Sequence, residues 1–154
     1  MIHIYTFRKA TLQDLDALVQ LREDFITGYG PLSDKSRAAL ANYRGFLQDV
    51  MAEGSFVLWL AELDGEIAAC GSVNFYRLPP IHLRPNGREG YIGNMFTYPA
   101  HRRQGLAKRI LQLLVDDARA AGCTMITLNA SEDGRPLYEA FGFENSSRMM
   151  RISL

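Results

Sequence analysis

The spacing of apolar residues changes character along the chain. Ile2 to Arg8 alternates and is rich in β-branched and aromatic residues, which predicts a strand. Leu12, Leu15, Leu18, Val19 and Ile26 then recur near helical spacing, and Thr11 with Asp14 forms a capping-box start. Gly28 to Ser33 breaks this pattern. A second helix is predicted from about Asp34 to Ala52, where Leu40, Tyr43, Leu47 and Val50 recur at three- and four-residue steps before Gly54. Phe56–Glu62 and Glu66–Tyr76 are β-rich runs joined across Leu-Asp-Gly, the mark of a hairpin. Leu78 to Gly90, with three prolines and two glycines, reads as a long loop. Beyond it the order becomes strand (Tyr91–Thr97), helix (about Gln104–Ala121), strand (Thr124–Asn129), helix (about Arg135–Phe141) and last strand (Phe143–Ser153). Hairpins followed by strand-helix-strand predict a mixed α/β (α+β) sheet flanked by helices. With no linker or repeat, residues 1–154 read as one domain.

Composition narrows the picture. At 154 residues the chain is long enough for a full core without disulfides or metals. The longest apolar run, Phe56 to Ala61, is far short of the roughly 18 residues of a membrane span. The first ten residues lack the apolar core of a signal peptide, so no membrane partner and a cytoplasmic location are expected. Cys70 and Cys123 have neither a CxxC spacing nor nearby histidines; they read as small core residues, and no metal site is indicated.

A net charge of zero argues against a general nucleic-acid binder, but the charge is unevenly placed. Thr11 to Glu66 holds ten acids against four bases, whereas His101 to Arg109 holds four bases and no acid. Around the latter, a strand stops before Pro99 and a basic turn with Gly105 opens into an amphipathic helix bearing Leu106, Ile110, Leu111, Leu114 and Val115. The first amides of a helix lack internal partners and carry the positive end of its dipole, so an anion can rest on them. Gly105 permits close approach of a phosphate, with Arg102, Arg103 and Lys108 supplying positive charge.

These residues resemble a known family. Arg102, Gly105 and Ala107 fit the [QR]xxGx[GA] signature of the GNAT superfamily of acyl-CoA-dependent N-acyltransferases, with Thr97-Tyr98-Pro99 where such proteins have a Val-x-Pro step. Pro136 to Phe143, a tyrosine followed four residues later by Gly-Phe, is similar to the second family signature, and Arg8 to Thr11 with the following acidic-apolar run is similar to the opening. The resemblance covers nearly the whole chain. It implies a mostly antiparallel sheet whose cofactor-binding strand splays from its neighbour, and acetyl-CoA as cofactor. The backbone of Met95, Phe96 and Thr97 would pair with the pantetheine arm; the amides of Arg103, Gln104, Gly105, Leu106, Ala107 and Lys108 would take the pyrophosphate. Ser131 stands where the family often has an asparagine that contacts the cofactor arm, and Tyr138 would point its hydroxyl at the thioester sulfur.

The implied activity is transfer of an acetyl group to a primary amine, by direct attack through a tetrahedral intermediate. Such a reaction needs a donor for the oxyanion, met by a backbone N–H near Met95, and a proton donor for sulfur, met by Tyr138. Some family members take the amine proton with a glutamate at the position that is Tyr91 here; Glu89 lies two residues earlier on the same strand face and is either the base, directly or through water, or a solvated loop charge. His82 and His101 read as surface residues, and the aromatic series from Tyr5 to Tyr76 as sheet core. The acidic excess of the N-terminal helices predicts a small cationic amine as acceptor, with recognition by those helices and the Leu78–Gly90 loop. The alternatives are an acyl-CoA-binding sensor or interaction module without turnover, and an acetyltransferase acting on a peptide or protein amine. A homodimer is compatible with all of these.

Overall fold

The computed structural model describes residues 2–146 and 148–154. Strand β1 (Thr6–Lys9) leads through the capped turn at Thr11 into α1 (Leu15–Thr27). There the backbone N–H of Thr11 donates to Asp14 Oδ2 at 2.7 Å and that of Gln13 to Thr11 Oγ1 at 3.3 Å. Helix α2 (Asp34–Glu53) starts on Ser33, whose hydroxyl accepts from the Ser36 amide, and ends where Gly54 turns left-handed. Strands β2 (Phe56–Leu63) and β3 (Glu66–Arg77) form the expected hairpin, with Asp64 (φ 52°) and Gly65 (φ 82°) supplying the two positive φ angles of its two-residue turn. Then come β4 (Arg88–Thr97), α3 (Leu106–Ala120), β5 (Met125–Leu128) and α4 (Arg135–Phe141).

The sheet runs β1-β2-β3-β4-β5, antiparallel up to β4 and parallel between β4 and β5. This is the mixed sheet flanked by helices that the sequence predicts. One face packs under α3 and α4, around Ala61, Val73, Ile92, Ile110, Leu111, Leu114 and Tyr138. The other packs under α1 and α2, around Leu18, Leu21, Leu47, Phe56, Leu58 and Leu60. Trp59 Nε1 donates to Asp117 Oδ2 at 2.7 Å, pinning α3 to β2.

Two irregularities shape what lies at the end of the sheet. The β4–β5 ladder stops at Ile92–Leu128, yet β4 continues to Thr97, so its last five residues have no partner on that side among the described residues. On the other side, Ser72 pairs with Gly93 and Cys70 with Phe96, which leaves β4 one residue longer than β3. That bulge puts Asn94 at a φ of 54°.

Three expectations need correction. No strand forms among the described residues of Phe143–Ser153; Met149, Met150 and Ile152 are exposed there, with no face to bury against. Strand β1 is shorter than Ile2–Arg8, because β2 turns back just past its Glu62 partner and leaves Ile2 and Ile4 in solvent. The long loop ends at Gly87, not Gly90, so Glu89 is a strand residue. Among the described residues no helix is long and apolar enough to cross a membrane.

Gly71 lies opposite the bulge, where a Cβ would stand 2.5 Å from Met95 Sδ and 2.6 Å from Ile110 Cγ2. Gly71→Ala is therefore expected to lower stability by about 1–3 kcal/mol through overpacking of α3 on the sheet. Urea unfolding checks this, and a midpoint equal to that of the parent would show that α3 can yield.

Candidate active site

A cleft of about 490 Å³ opens where β4 departs from β5. Its floor is Ser72 and Asn74 of β3 and Tyr91 to Met95 of β4. Helices α1 and α2 form one wall through Arg22, Phe25, Tyr43 and Phe46; Asn129, Ser131 and Tyr138 form the opposite one. No residue of the Leu78–Gly90 loop lines it. That loop instead docks on the far end of α3, through Asn86 Nδ2 donating to the Gly122 carbonyl at 2.7 Å.

Tyr138 is 8% exposed and stands edge-on to Phe143 at 5.9 Å between ring centroids. It is carried by α4, whose entry is held by Ser131: the Ser131 hydroxyl accepts from the Gly134 N–H at 3.1 Å and its carbonyl from the Arg135 N–H. The Tyr138 hydroxyl makes no hydrogen bond among the described residues, and its ring lines the cleft. Burial pushes its pKa up from 10.0, with Tyr29 and Tyr91 adding to the shift, so it keeps its proton at neutral pH. Tyr91, on the floor, accepts at its hydroxyl from Asn129 Nδ2 at 3.0 Å.

Beyond the cleft β4 runs into the basic turn. Arg103 (φ 64°) and Gly105 (φ 76°) are both left-handed, and the space where a Gly105 Cβ would stand is open. The backbone N–H groups of Arg103, Gln104, Gly105, Leu106, Ala107 and Lys108 make no hydrogen bond among the described residues. Six unbonded amides at the head of a fifteen-residue helix form an anion cradle, and they fit the pyrophosphate of the cofactor that the resemblance implies. Arg102 Nε donates to the Thr97 carbonyl at 3.1 Å and links the turn to the strand. Met95 turns its side chain toward α3 and Phe96 toward α1. His101 is half-buried, bonded through Nδ1 to Tyr5 Oη at 3.0 Å, while His82 is exposed.

Glu89 lies on the same face of β4 as Tyr91 but does not line the cleft. It is 4% exposed, so it is no solvated loop charge. Its Oε1 accepts from Thr127 Oγ1 at 3.2 Å; its Oε2 sits 3.6 Å from Arg84 Nη1 and lacks a hydrogen bond. Cys70 is buried, its thiol donating to the Asn94 carbonyl at 3.0 Å, and burial pushes its pKa up to about 12; Cys123 is half-buried.

The acids of the N-terminal helices do not face the cleft. Asp14 accepts from Arg8, Asp16 pairs with Arg44, and Asp24 accepts from Tyr98 Oη and Gln20 Nε2. The charged side chain that lines the cleft is Arg22, opposite in sign to the expectation. Sequence reasoning passed over Arg22 and Asn94. The signal for Arg22 was a cation in the apolar stripe Leu15, Leu18, Phe25; nothing local marks Asn94 as left-handed inside a strand.

Known proteins share the fold and much of the sequence pattern. A model of the acetyltransferase (GNAT) family matches residues 16–143. The chain is 28% identical over 144 residues to the uncharacterized N-acetyltransferase YjgM of Escherichia coli, covering 90% of this chain and 81% of that protein. It is 32% identical over 77 residues to a glucosamine 6-phosphate N-acetyltransferase of Trypanosoma brucei brucei, a match that covers 50% of this chain and only 52% of the relative. A predicted acetyltransferase from Clostridium acetobutylicum, solved with acetyl-CoA, superposes with a TM-score of 0.88 at 31% identity over 97% of this chain and 96% of that one. Matched by that family model over most of its length, the chain belongs to the acetyltransferase (GNAT) family, enzymes whose usual cofactor is acetyl-CoA.

Proposed function

We propose that the chain moves the acetyl group of acetyl-CoA directly onto the primary amine of a small molecule, with residues 1–154 acting as one N-acetyltransferase domain. The observation that carries this reading is a buried tyrosine, its hydroxyl unbonded among the described residues, lining a cleft whose floor strand leads to six amides without a hydrogen bond. Acetyl-CoA supplies an acetyl group already activated as a thioester. The amides of Arg103 to Lys108 hold its pyrophosphate, and the unpaired edge of β4 at Met95 to Thr97 holds the arm, with Ser131 on the facing wall. The Met95 N–H, outside the regular ladder at the bulge, is the donor for the oxygen that gains charge as the amine attacks. Tyr138 Oη gives its proton to the departing sulfur.

Glu89 is the candidate acceptor for the amine proton. It acts through water past Tyr91, since it does not itself line the cleft. A cleft of about 490 Å³ is on the scale of small-molecule sites, and the name of the trypanosome relative supports a small acceptor.

Tyr138→Phe is expected to lower kcat by about 10²–10⁴-fold with acetyl-CoA affinity retained, as for loss of a general acid. Full turnover by this variant would reduce Tyr138 to packing. Because burial raises the tyrosine pKa, the parent enzyme should show no alkaline fall in kcat from this group below about pH 10. Gly105→Val forces a β-branched residue into a left-handed turn and fills the open space above it, so acetyl-CoA binding by calorimetry should be lost while the thermal melt still shows a folded protein. Glu89→Gln should lower kcat/KM by about 10²–10⁴-fold, as for loss of a general base; an unchanged kcat/KM assigns the Glu89–Arg84 pair to the fold alone.

A further inference from the structure

The acceptor wall of the cleft holds a cation without a counter-ion. Among the described residues Arg22 has no carboxylate within 4.0 Å, although Arg8, Arg37, Arg44, Arg84, Arg119 and Arg135 each have one. Its guanidinium carbon lies 5.1 Å from the ring centroid of Phe25 and 5.8 Å from that of Tyr43, and Nη1 donates to Asn94 Oδ1 at 2.7 Å. Asn94 in turn donates from Nδ2 to Ser72 Oγ at 2.9 Å, and Ser72 donates to the Gly93 carbonyl at 3.1 Å. The relay, anchored on the bulge, fixes the guanidinium against two aromatic rings. The remaining N–H groups of Arg22 make no hydrogen bond among the described residues.

A half-buried guanidinium held rigid and left unpaired in a cavity is set up to take an anion. Its planar fork matches a carboxylate or phosphate, and the stacking rings cut the entropy lost on binding. Asp14 is paired with Arg8 and Asp16 with Arg44, Asp24 accepts from Tyr98, and among the described residues no carboxylate lines the cleft. Resting on the reading of the chain as an amine acetyltransferase, we propose that the acceptor carries an anionic group, carboxylate or phosphate, bound by Arg22. Its amine then points along the floor toward Met95 and Tyr138, which line the same cleft.

The test compares matched acceptors: β-alanine with β-alanine amide, O-phosphoethanolamine with ethanolamine, and 1,3-diaminopropane as the cation. Thiol release from acetyl-CoA is measured for each with the parent protein and with Arg22→Gln. The anionic member of a pair should exceed the neutral one in kcat/KM by about 10–100-fold, as for charge-assisted hydrogen bonds, and the diamine should be the poorest. Arg22→Gln should bring the anionic-to-neutral ratio close to one. The carboxylate and phosphate arms separate the two chemistries. Equal rates within both pairs, or a preference that survives Arg22→Gln, overturns the subsite.

A second readout does not need turnover. With ¹⁵N-labelled protein, the Arg22 Nε–H signal, assigned by its loss in Arg22→Gln, should move on addition of β-alanine or O-phosphoethanolamine and stay still with their neutral counterparts. Absence of thiol release with every amine would count against the acetyltransferase reading on these acceptors. The anion subsite then stands if the Arg22 signal moves with the anions alone, and falls if it does not.

Discussion

One extra residue in β4 governs the working end of the molecule. Between the Ser72–Gly93 and Cys70–Phe96 pairs the strand takes three steps against two, and the surplus is absorbed by Asn94 in a left-handed conformation. A bulge of this kind bends and twists its strand. Here it comes just past Ile92, where β4 loses its parallel neighbour while staying paired to β3 through Phe96 and Thr97, and a cleft opens between β4 and β5. The same residue aims a side-chain carbonyl at Arg22 and exposes its backbone carbonyl to the Cys70 thiol, which ties the bulge to both α1 and β3. Gly71 supplies the space that Met95 fills on the opposite face.

The turn after β4 works by a different principle. Besides its basic side chains it offers backbone amides, which cannot swing away as lysine and arginine side chains do. The Arg102–Thr97 contact ties the turn to the strand, and two of the turn's residues, Arg103 and Gly105, are left-handed. Opposite, a tyrosine buried enough to hold its proton is set on a seven-residue helix whose orientation depends on Ser131 and on packing against Phe143. The cleft therefore combines a tyrosine that keeps its proton and a single stacked cation, with the turn of unbonded amides beyond it.

The sequence made the local parts of this plain and the long-range parts invisible. Helix α3 was legible because a fixed apolar stripe follows a glycine-bearing basic turn, and the β2–β3 hairpin because Asp-Gly is one of the few pairs that supply both positive φ angles. Tyr138 was legible through its fixed distance to Gly142-Phe143. The acidic count from Thr11 to Glu66 misled, because a charge count is blind to which side of a helix each carboxylate occupies and to the arginines that claim Asp14 and Asp16. Arg22 meets Asn94 across 72 residues, a pairing that no local pattern can encode. Glu89 stayed open between a base and a solvated charge because prolines and glycines precede it, whereas the β-ladder begins at Arg88 and buries it.

The two walls of the cleft are drawn from separate stretches of chain. Helices α1 and α2 end at Glu53, whereas the floor strand, the amide turn and Tyr138 all follow Arg88, with the β2–β3 hairpin between them as common foundation. Drift or exchange within the first fifty-odd residues can thus remodel one wall without disturbing the other. A lineage with this layout can diverge in what it recognises while its group-transfer apparatus stays under separate selection, and a chimera joining the α1–α2 segment of one relative to the remainder of another is the natural unit of recombination.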